Sequence, residues 1–527
     1  MRKRFNVTGI CIPEKDYMVD TGSRIQDIID NLIEEGQYFT INCARQYGKT
    51  TMLYQLEKKL KEKYIVLSLS LEAADEYFKS PIALAEGLIM DIGDCLHQLE
   101  ISADVIREWN QPVSERFPMR DLGMKITTLC SQCSREIVLI IDEVNKNSDN
   151  YIFLSFLRLL QVKYLNQRVG KDSTFKSVIL AGVYDIKNFK FKLNPGEESK
   201  YNTLWNVAAD FKIDMSFSAK DIEGMLREYE KDYHTGMNIP EMSQQIYEYT
   251  SGYPYLVSRL CKFLDEEVSR TEEYSGKSKA WTQSGFQYAV KLLLYDSNIL
   301  FDDMKKKIGK YPELSQMIHM MLFTGKTIAY NPDYTAIDIG IMFGFIKQVN
   351  DQVVVSNRIF ETRLYNYFLS EEMVQSDIYE AALQSRNQFI HDGMLDMDLV
   401  LKKFVVHFTN IYGNSSDKFI EENGRRLFLL YLKPIMNGTG NYYIESRTRN
   451  MGRTDVVVDY LGKQYVIEMK IYHGNEYNLK GDNHLLGYLD DCHLKKGYRL
   501  RFNFNKNKKI GVHEISRDGK VIVEAIV

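Results

Sequence analysis

The sequence predicts an α/β chain built in series: a parallel-sheet domain, then helical modules, then a second, smaller α/β domain. Three stretches carry this expectation. Residues 38–41 form an apolar, β-prone run that ends in a short polar loop, and a helical pattern follows (Met52, Leu53, Leu56, Leu60). Residues 137–141 are five consecutive β-branched or leucine residues. Such a run reads as a strand buried on both faces, hence a central strand of a parallel sheet. Residues 455–460 and 464–470 are two extended runs joined at Leu461-Gly462-Lys463, a hairpin near the C-terminal end. With 527 residues the chain has room for about three or four domains.

The first stretch continues Asn42-Cys43-Ala44-Arg45-Gln46-Tyr47-Gly48-Lys49-Thr50-Thr51. Strand, loop, Gly-Lys-Thr and helix is the layout of a phosphate-binding P-loop. Backbone N–H groups at the helix start face the phosphates, and the helix dipole favours their charge. Arg45, Gln46, Tyr47, Gly48, Lys49, Thr50 and Thr51 are therefore the expected nucleotide-binding residues. Lys49 would reach the β- and γ-phosphates, and the Thr50 hydroxyl would hold Mg²⁺. The pattern asks for glycine six residues before Lys49, where this chain has Cys43, and a cysteine does not easily take φ > 0. The plain alternative is an ordinary β-turn-α junction with a surface lysine.

The strand at 137–141 ends in Asp142-Glu143, at the edge where open α/β sheets bind ligands. This is the Walker B pattern. Asp142 would hold Mg²⁺ through its hydration shell, and Glu143 would orient or deprotonate the attacking water. The two signals support each other and predict ATP as cofactor with Mg²⁺. Residues 177–182 read as a further buried strand. Its end, at 183–185, lies where a γ-phosphate sensor would sit, but no side chain there has the chemistry of one.

Composition bounds the rest. The chain is 44% hydrophobic and 26% charged, as globular proteins are. No apolar run approaches the about 18 residues of a membrane span. The start, Met-Arg-Lys-Arg-Phe, lacks the apolar core of a signal peptide. The seven cysteines are scattered without a framework spacing, which fits a reducing, cytoplasmic setting and no membrane partner. Cys130 and Cys133 form a single CxxC and read as packing thiols. Net charge is −4 but unevenly spread: residues 401–527 carry 21 Lys+Arg against 14 Asp+Glu, and residues 1–400 carry 46 against 57. Residues 495–509 hold seven basic side chains and no acid. A basic end on an acidic body suggests that the C-terminal domain meets a polyanion, although a solvated lysine-rich edge would look the same.

Between the two α/β regions the pattern is mostly helical. Residues 218–229 are amphipathic, and Ser251-Gly252-Tyr253-Pro254-Tyr255 opens another helix. That turn resembles the helical lid of STAND-type and archaeal-type ATPases, which implies a helix start near the nucleotide. Helices around 314–322 and 337–345, extended runs at 345–347 and 353–355 about a turn at Asn350-Asp351, and a last helix resemble a winged helix. This module is not conspicuously basic, so a structural role is expected. Residues 371–410 read as amphipathic helices, a connector.

In the C-terminal region Glu421 opens a helix that ends at Pro434. Gly452-Arg453-Thr454-Asp455 begins one strand of the hairpin, and Glu468-Met469-Lys470 ends the other. Glu468 and Lys470 are two apart, so they share a face, and Asp455 can reach the same edge. Two carboxylates and an ammonium suit metal-assisted phosphodiester hydrolysis. Asp455 and Glu468 would bind Mg²⁺, Lys470 would position the water, and Glu421 could add an acidic contact. Residues 496–504 read as a last, basic strand.

The order helix-Glu, Asp, Glu-x-Lys resembles the PD-(D/E)xK nuclease superfamily. His484 stands where related nucleases show glutamine, which puts that contact in question. Taken with the P-loop, the chain resembles a family of bacterial AAA-type ATPases fused to such a domain, in which the missing first glycine looks like a family trait. The resemblance implies an ATPase domain at 1–215, a helical lid at 216–285, a winged-helix-like module at 286–370, a connector at 371–410 and a nuclease-like domain at 411–527. It implies an ATPase that gates or powers a Mg²⁺-dependent nuclease acting on nucleic acid, DNA first, through residues 401–527. The alternative is a nucleotide-driven switch whose nuclease-like domain binds without cutting. A homo-oligomer is compatible with either.

Overall fold

Tyr38–Asn42 (β1), Ile65–Ser70 (β2), Ile137–Asp142 (β3), Ser177–Gly182 (β4) and Ala208–Ala209 (β5) form one sheet in the order β2-β3-β4-β1-β5. Every pairing in it is parallel. The computed structural model describes residues 2–99, 101–144, 151–183, 207–324, 328–413, 415, 417–436, 440–445, 455–461, 463–471, 485–486, 489, 494–503 and 509–527.

The sheet forms because aromatic and β-branched residues fill it and both faces are covered. Alternate residues of each strand enter two different cores. Tyr38, Leu67, Leu139, Ile141 and Leu180 join one with the helices Pro81–Gln98, Pro118–Gln132 and Tyr151–Arg168. Phe39, Ile41, Val66, Val138, Ile140 and Ile179 join the other with the helices Gly22–Ile28 and Lys49–Leu60. Met52, Leu53, Leu56 and Leu60 are buried on one stripe of the latter helix, as the sequence pattern expects. Each fully buried Ile or Leu contributes about 1.5–3 kcal/mol, so a charge at Ile140 would break both the strand and the core. Cys130 and Cys133 pack against the first core.

The chain divides into two units. The first is Met1–Tyr229 with Gly252–Ser258 and Met342–Gly344; the second is Glu230–Ser251, Arg259–Ile341 and Phe345–Val527. Among its helices, the second unit holds a small antiparallel sheet of Ile328–Ala329 (β6), Ile346–Val349 (β7) and Gln352–Val355 (β8), in the order β6-β8-β7. Asn350 and Asp351 turn it with φ of 47° and 62°, the two left-handed residues of a tight hairpin. Strand β6 was not expected from the sequence; its two residues are too few to show a period.

The expectation of helices throughout 371–410 fails at one place. Ile390–His391 (β9) and Met394–Leu395 (β10) form a short hairpin about Asp392-Gly393, both with positive φ. The helix Met397–Tyr412 follows it and packs on the C-terminal sheet: Lys496 Nζ lies 2.7 Å from Asp398, the Tyr498 hydroxyl donates to Asp398 at 3.1 Å, and the rings of Phe408 and Phe502 pack 5.7 Å apart.

That sheet has six strands: Gly440–Glu445 (β11), Asp455–Tyr460 (β12), Lys463–Ile471 (β13), Lys496–Phe502 (β14), Gly511–Arg517 (β15) and Lys520–Ile526 (β16). Their order is β11-β12-β13-β14-β16-β15. β12–β13 is the expected hairpin, and β14 joins β13 in parallel. The reading of 496–504 as the last strand is corrected, because β15 and β16 follow, folded about Asp518-Gly519. The helix Asp417–Met436 begins one turn before Glu421, which therefore lies inside it rather than opening it. A Cβ at Gly424 would meet the Phe502 ring at 2.8 Å, so a glycine lets this helix lie close on β14. Leu485, Leu486 and Leu489 are helical and buried, and with Val457, Val466 and Ile522 they form a small core.

Candidate nucleotide site and the C-terminal charge row

The loop between β1 and the helix Lys49–Leu60 makes its turns at Gln46 and Gly48, with φ of 57° and 83°. Cys43 is still in the sheet: its N–H donates to the Gly182 carbonyl at 3.2 Å, one step beyond the β1–β4 pairing. A cysteine is tolerated there because the left-handed positions fall later in the loop. Its thiol is 3.3 Å from the Met215 sulfur, and burial pushes its pKa up to about 11. It is a packing thiol.

Lys49 is the first helical residue after Gly48. Its ammonium donates to the carbonyls of Cys43 at 2.9 Å and Ala44 at 3.2 Å. The loop thus curls around its own lysine. Burial, the largest influence, pulls the Lys49 pKa below the ordinary lysine value, while Cys43, Glu143 and Asp142 oppose it. Thr50 is exposed, and its hydroxyl donates to Asp142 Oδ2 at 3.4 Å. The Thr51 hydroxyl accepts from the Cys11 N–H at 3.1 Å, tying the N-terminal segment to the helix start. Arg45 is exposed; Gln46 and Tyr47 are half-buried.

Asp142 ends β3 on the same sheet edge as the loop. Burial raises its pKa above the usual carboxylate range, against the hydrogen bond from the Glu143 N–H at 2.8 Å, which lowers it. Glu143 takes φ of 56°, a left-handed conformation rare outside glycine and Asn/Asp. Such strain collects at functional sites. Residues 183–185 are only partly described: Val183 is buried, and Tyr184 and Asp185 lie outside the described residues.

One contributor lies outside these motifs. Tyr253 belongs to the same unit, and its hydroxyl donates to the Arg45 carbonyl. Its ring meets Tyr47 edge-on at 4.7 Å, and Pro254 Cβ would be 3.9 Å from a Cβ on Gly48. The Gly-Tyr-Pro turn therefore rests on the loop. The signal in the sequence was the turn; the tyrosine's part in it needs the fold.

The residues fit a Mg²⁺-nucleotide. A basic side chain and backbone donors stand at a helix start, and a carboxylate and hydroxyl of hard oxygen type lie within 3.4 Å of each other beside them. The lysine's present acceptors are two carbonyls that a phosphate could replace.

The C-terminal residues are arranged differently. The register sets Asp455 opposite Glu468, Glu468 opposite Arg499, and Arg499 opposite Glu524. Lys470 pairs with Arg501. Asp455, Glu468 and Lys470 therefore occupy neighbouring positions of one strand pair, as the sequence expects, though the side chains of Asp455, Lys470 and Glu421 lie outside the description. So do Gly452, Arg453, Thr454 and His484. Glu468 is fully buried, and its Oε2 accepts from Arg499 Nε at 3.1 Å. Arg499, itself buried, also donates to Glu524 at 3.3 Å, and Arg501 lies 2.7 Å from the same carboxylate. No group of three or more potential metal ligands occurs among the described residues. The basic surplus of 495–509 is thus partly internal: Arg499 and Arg501 face acids of the sheet and Lys496 faces Asp398. The expected basic strand is there, with acidic partners for these three of its side chains.

No helix among the described residues is long and apolar enough to cross a membrane. Comparison with curated proteins finds no match. Among solved structures the chain is similar to the Walker-type ATPase PABY2304 of Pyrococcus abyssi, with 12% identity and a TM-score of 0.43 over 68% of this chain and 99% of that one. It is also similar to the Aeropyrum pernix ORC1 protein, solved in complex with DNA, with 10% identity and a TM-score of 0.30 over 70% of this chain and 98% of that one. Residues 14–371 match the family model described as an AAA-like domain. That is more than half of the chain, which therefore belongs to this AAA-like, nucleotide-binding, ATPase-like family.

Proposed function

We propose that the chain binds and hydrolyses ATP at the β1 loop and the end of β3, and uses that cycle to control how its C-terminal domain engages nucleic acid, DNA in the first instance. The observation that carries the first part is the meeting of Lys49 with the loop carbonyls and of Thr50 with Asp142 at one parallel-sheet edge. The backbone N–H groups from Gly48 to Thr51 would hold the β-phosphate, and the Lys49 ammonium would leave its carbonyls for the β- and γ-phosphates. Thr50 and Asp142 would hold Mg²⁺, which neutralises charge on the phosphate oxygens when bound. Glu143 would orient the attacking water and accept its proton. Tyr253, through the Arg45 carbonyl, would keep the loop in register.

For the C-terminal domain two readings stand. In one, Asp455, Glu468 and Lys470, with Glu421, cut a phosphodiester with Mg²⁺. In the other, the nuclease-like domain binds without cutting, as a nucleotide-driven switch. The hydrogen bond of Glu468 Oε2 to the buried Arg499 supports the second, because that oxygen is engaged by a cation of the chain itself. Of this set only the Glu468 side chain belongs to the described residues, and no step is assigned to the metal. Support for nucleic acid comes from the positive balance of 401–527 and the resemblance of its motifs. The test is an ATPase assay and a DNA gel shift on one preparation with and without ATP. The proposal expects ATP turnover and a nucleotide-dependent shift. Turnover without DNA binding under either condition would remove the second half; no turnover would remove the first.

A further inference from the structure

The helix Thr335–Met342 ends in a glycine turn. Gly344 takes φ of 73°, and the Phe345 N–H donates to the Gly340 carbonyl at 2.9 Å. Those are the marks of a Schellman cap, and the cap by itself asks for a residue that tolerates a left-handed backbone. A second fact asks for more. Met342–Gly344 belongs to the first unit, with the β1 loop and Tyr253. A Cβ at Gly344 would lie 2.7 Å from Ala44 Cβ and 3.6 Å from the Tyr253 ring. Carbon atoms in contact stand about 3.5–4.0 Å apart, so the turn seats on Ala44 only while residue 344 has no side chain.

Ala44 is 6% exposed and central to the loop's hold on its lysine. Its carbonyl accepts from the Lys49 ammonium at 3.2 Å, and the next carbonyl, of Arg45, accepts from the Tyr253 hydroxyl. The Ala44-Arg45 stretch is thus gripped by the lysine from within the loop, and by Tyr253 and the glycine turn from outside it. We propose that Gly344 is a positioning residue of the nucleotide site: its missing side chain lets the turn seat on Ala44, and the seat holds the β1 loop in the shape that receives phosphate. This rests on the nucleotide-binding reading of that loop. A loop already ordered loses less entropy when the ligand arrives. The coupling runs both ways: a turn drawn off Ala44 weakens nucleotide binding, and bound nucleotide tightens the seat by the same factor.

The experiment is a double-mutant cycle on the full chain, read as the Kd of a fluorescent ATP analogue with Mg²⁺, with melting curves to confirm folding. The Gly344→Ala step should raise Kd about tenfold in the wild-type chain, the size of effect that overpacking a tight contact gives. Made in the Ala44→Gly chain, where the opposing methyl is gone, the same step should raise it much less. The left-handed strain at residue 344 is equal in the two backgrounds, so only the contact separates them. Equal rises in both, or no rise in the first, would overturn the proposal and leave Gly344 as a helix cap. Should Gly344→Ala fail to fold, Ala44→Val, which crowds the same contact from the loop side, is read in its place: a raised Kd is expected, and an unchanged one overturns the proposal. Lack of binding by wild type would remove the nucleotide reading and the proposal together; wild-type binding with Gly344→Ala unaffected removes the proposal alone.

Discussion

The β1 loop and the C-terminal sheet present the same kinds of residue in sequence, carboxylates near a lysine at strand ends, and treat them in opposite ways. At the loop, Lys49 is held by two backbone carbonyls, and Asp142 by a threonine hydroxyl and a backbone N–H. All of these are neutral partners that a charged ligand can outbid. In the sheet, Glu468 is held by a guanidinium that is itself shared with Glu524. An ion paired with an opposite ion gains a Coulomb attraction that an ion hydrogen-bonded to a neutral carbonyl, hydroxyl or N–H lacks. A site is open when its charges are matched by weak partners and closed when they are matched by each other.

The largest effect expected from breaking this contrast is at Glu143. Glu143→Gln should lower ATP turnover by about 10²–10⁴-fold, the range for loss of a general base, while nucleotide affinity changes little. Steady-state phosphate release and fluorescent-nucleotide titration separate the two, and equal loss in both would assign Glu143 to binding instead. Next is the closed row. Arg499→Ala leaves Glu468 and Glu524 buried without their counter-ion and should cost about 3–5 kcal/mol, read by urea denaturation. The Glu468→Gln/Arg499→Gln pair should cost clearly less, since it leaves fewer unpaired charges.

Smaller is Tyr253→Phe, which removes one hydrogen bond to the Arg45 carbonyl. About 1 kcal/mol of loop order should go with it, seen as a roughly fivefold rise in the nucleotide Kd; an unchanged Kd would detach the turn from the loop. Smallest is a pH effect. Burial holds Asp142 above the ordinary carboxylate range. Only its ionised form holds a cation, so Mg²⁺-dependent ATP affinity should fall on acidification at a higher pH than an exposed aspartate, with its pKa of about 3.9, would give. Without ligand the sign reverses for stability. The folded chain then binds this proton more tightly than the unfolded one, so the contribution is present in acid and lost as pH rises. Asp142→Asn should flatten the affinity profile.

The open region was legible from sequence because its parts are local. Strand, loop, Lys49 and helix lie within one run of the chain, and the doubly buried strand that ends at Asp142 announces itself by composition. The closed region was not, because its deciding partner is distant: Arg499 is 31 residues from Glu468 and meets it only through strand register. The missed hairpins had a local signal. Both β9–β10 and β15–β16 turn on Asp-Gly, at Asp392-Gly393 and Asp518-Gly519, with positive φ at each residue. Asp-Gly is the strongest short-range hairpin cue. At 390–395 it was masked by flanking apolar residues at helical spacing. At 518–519 it fell after a stretch read as the end of the sheet.

The most direct measurement is phosphate release from ATP by wild type and Lys49→Ala, purified side by side and matched for fold by circular dichroism. Turnover by the wild type that falls to background in the variant is the predicted result. Equal rates in the two would mean that the lysine curled in its loop does not meet a nucleotide there, and the account of the open site would be wrong.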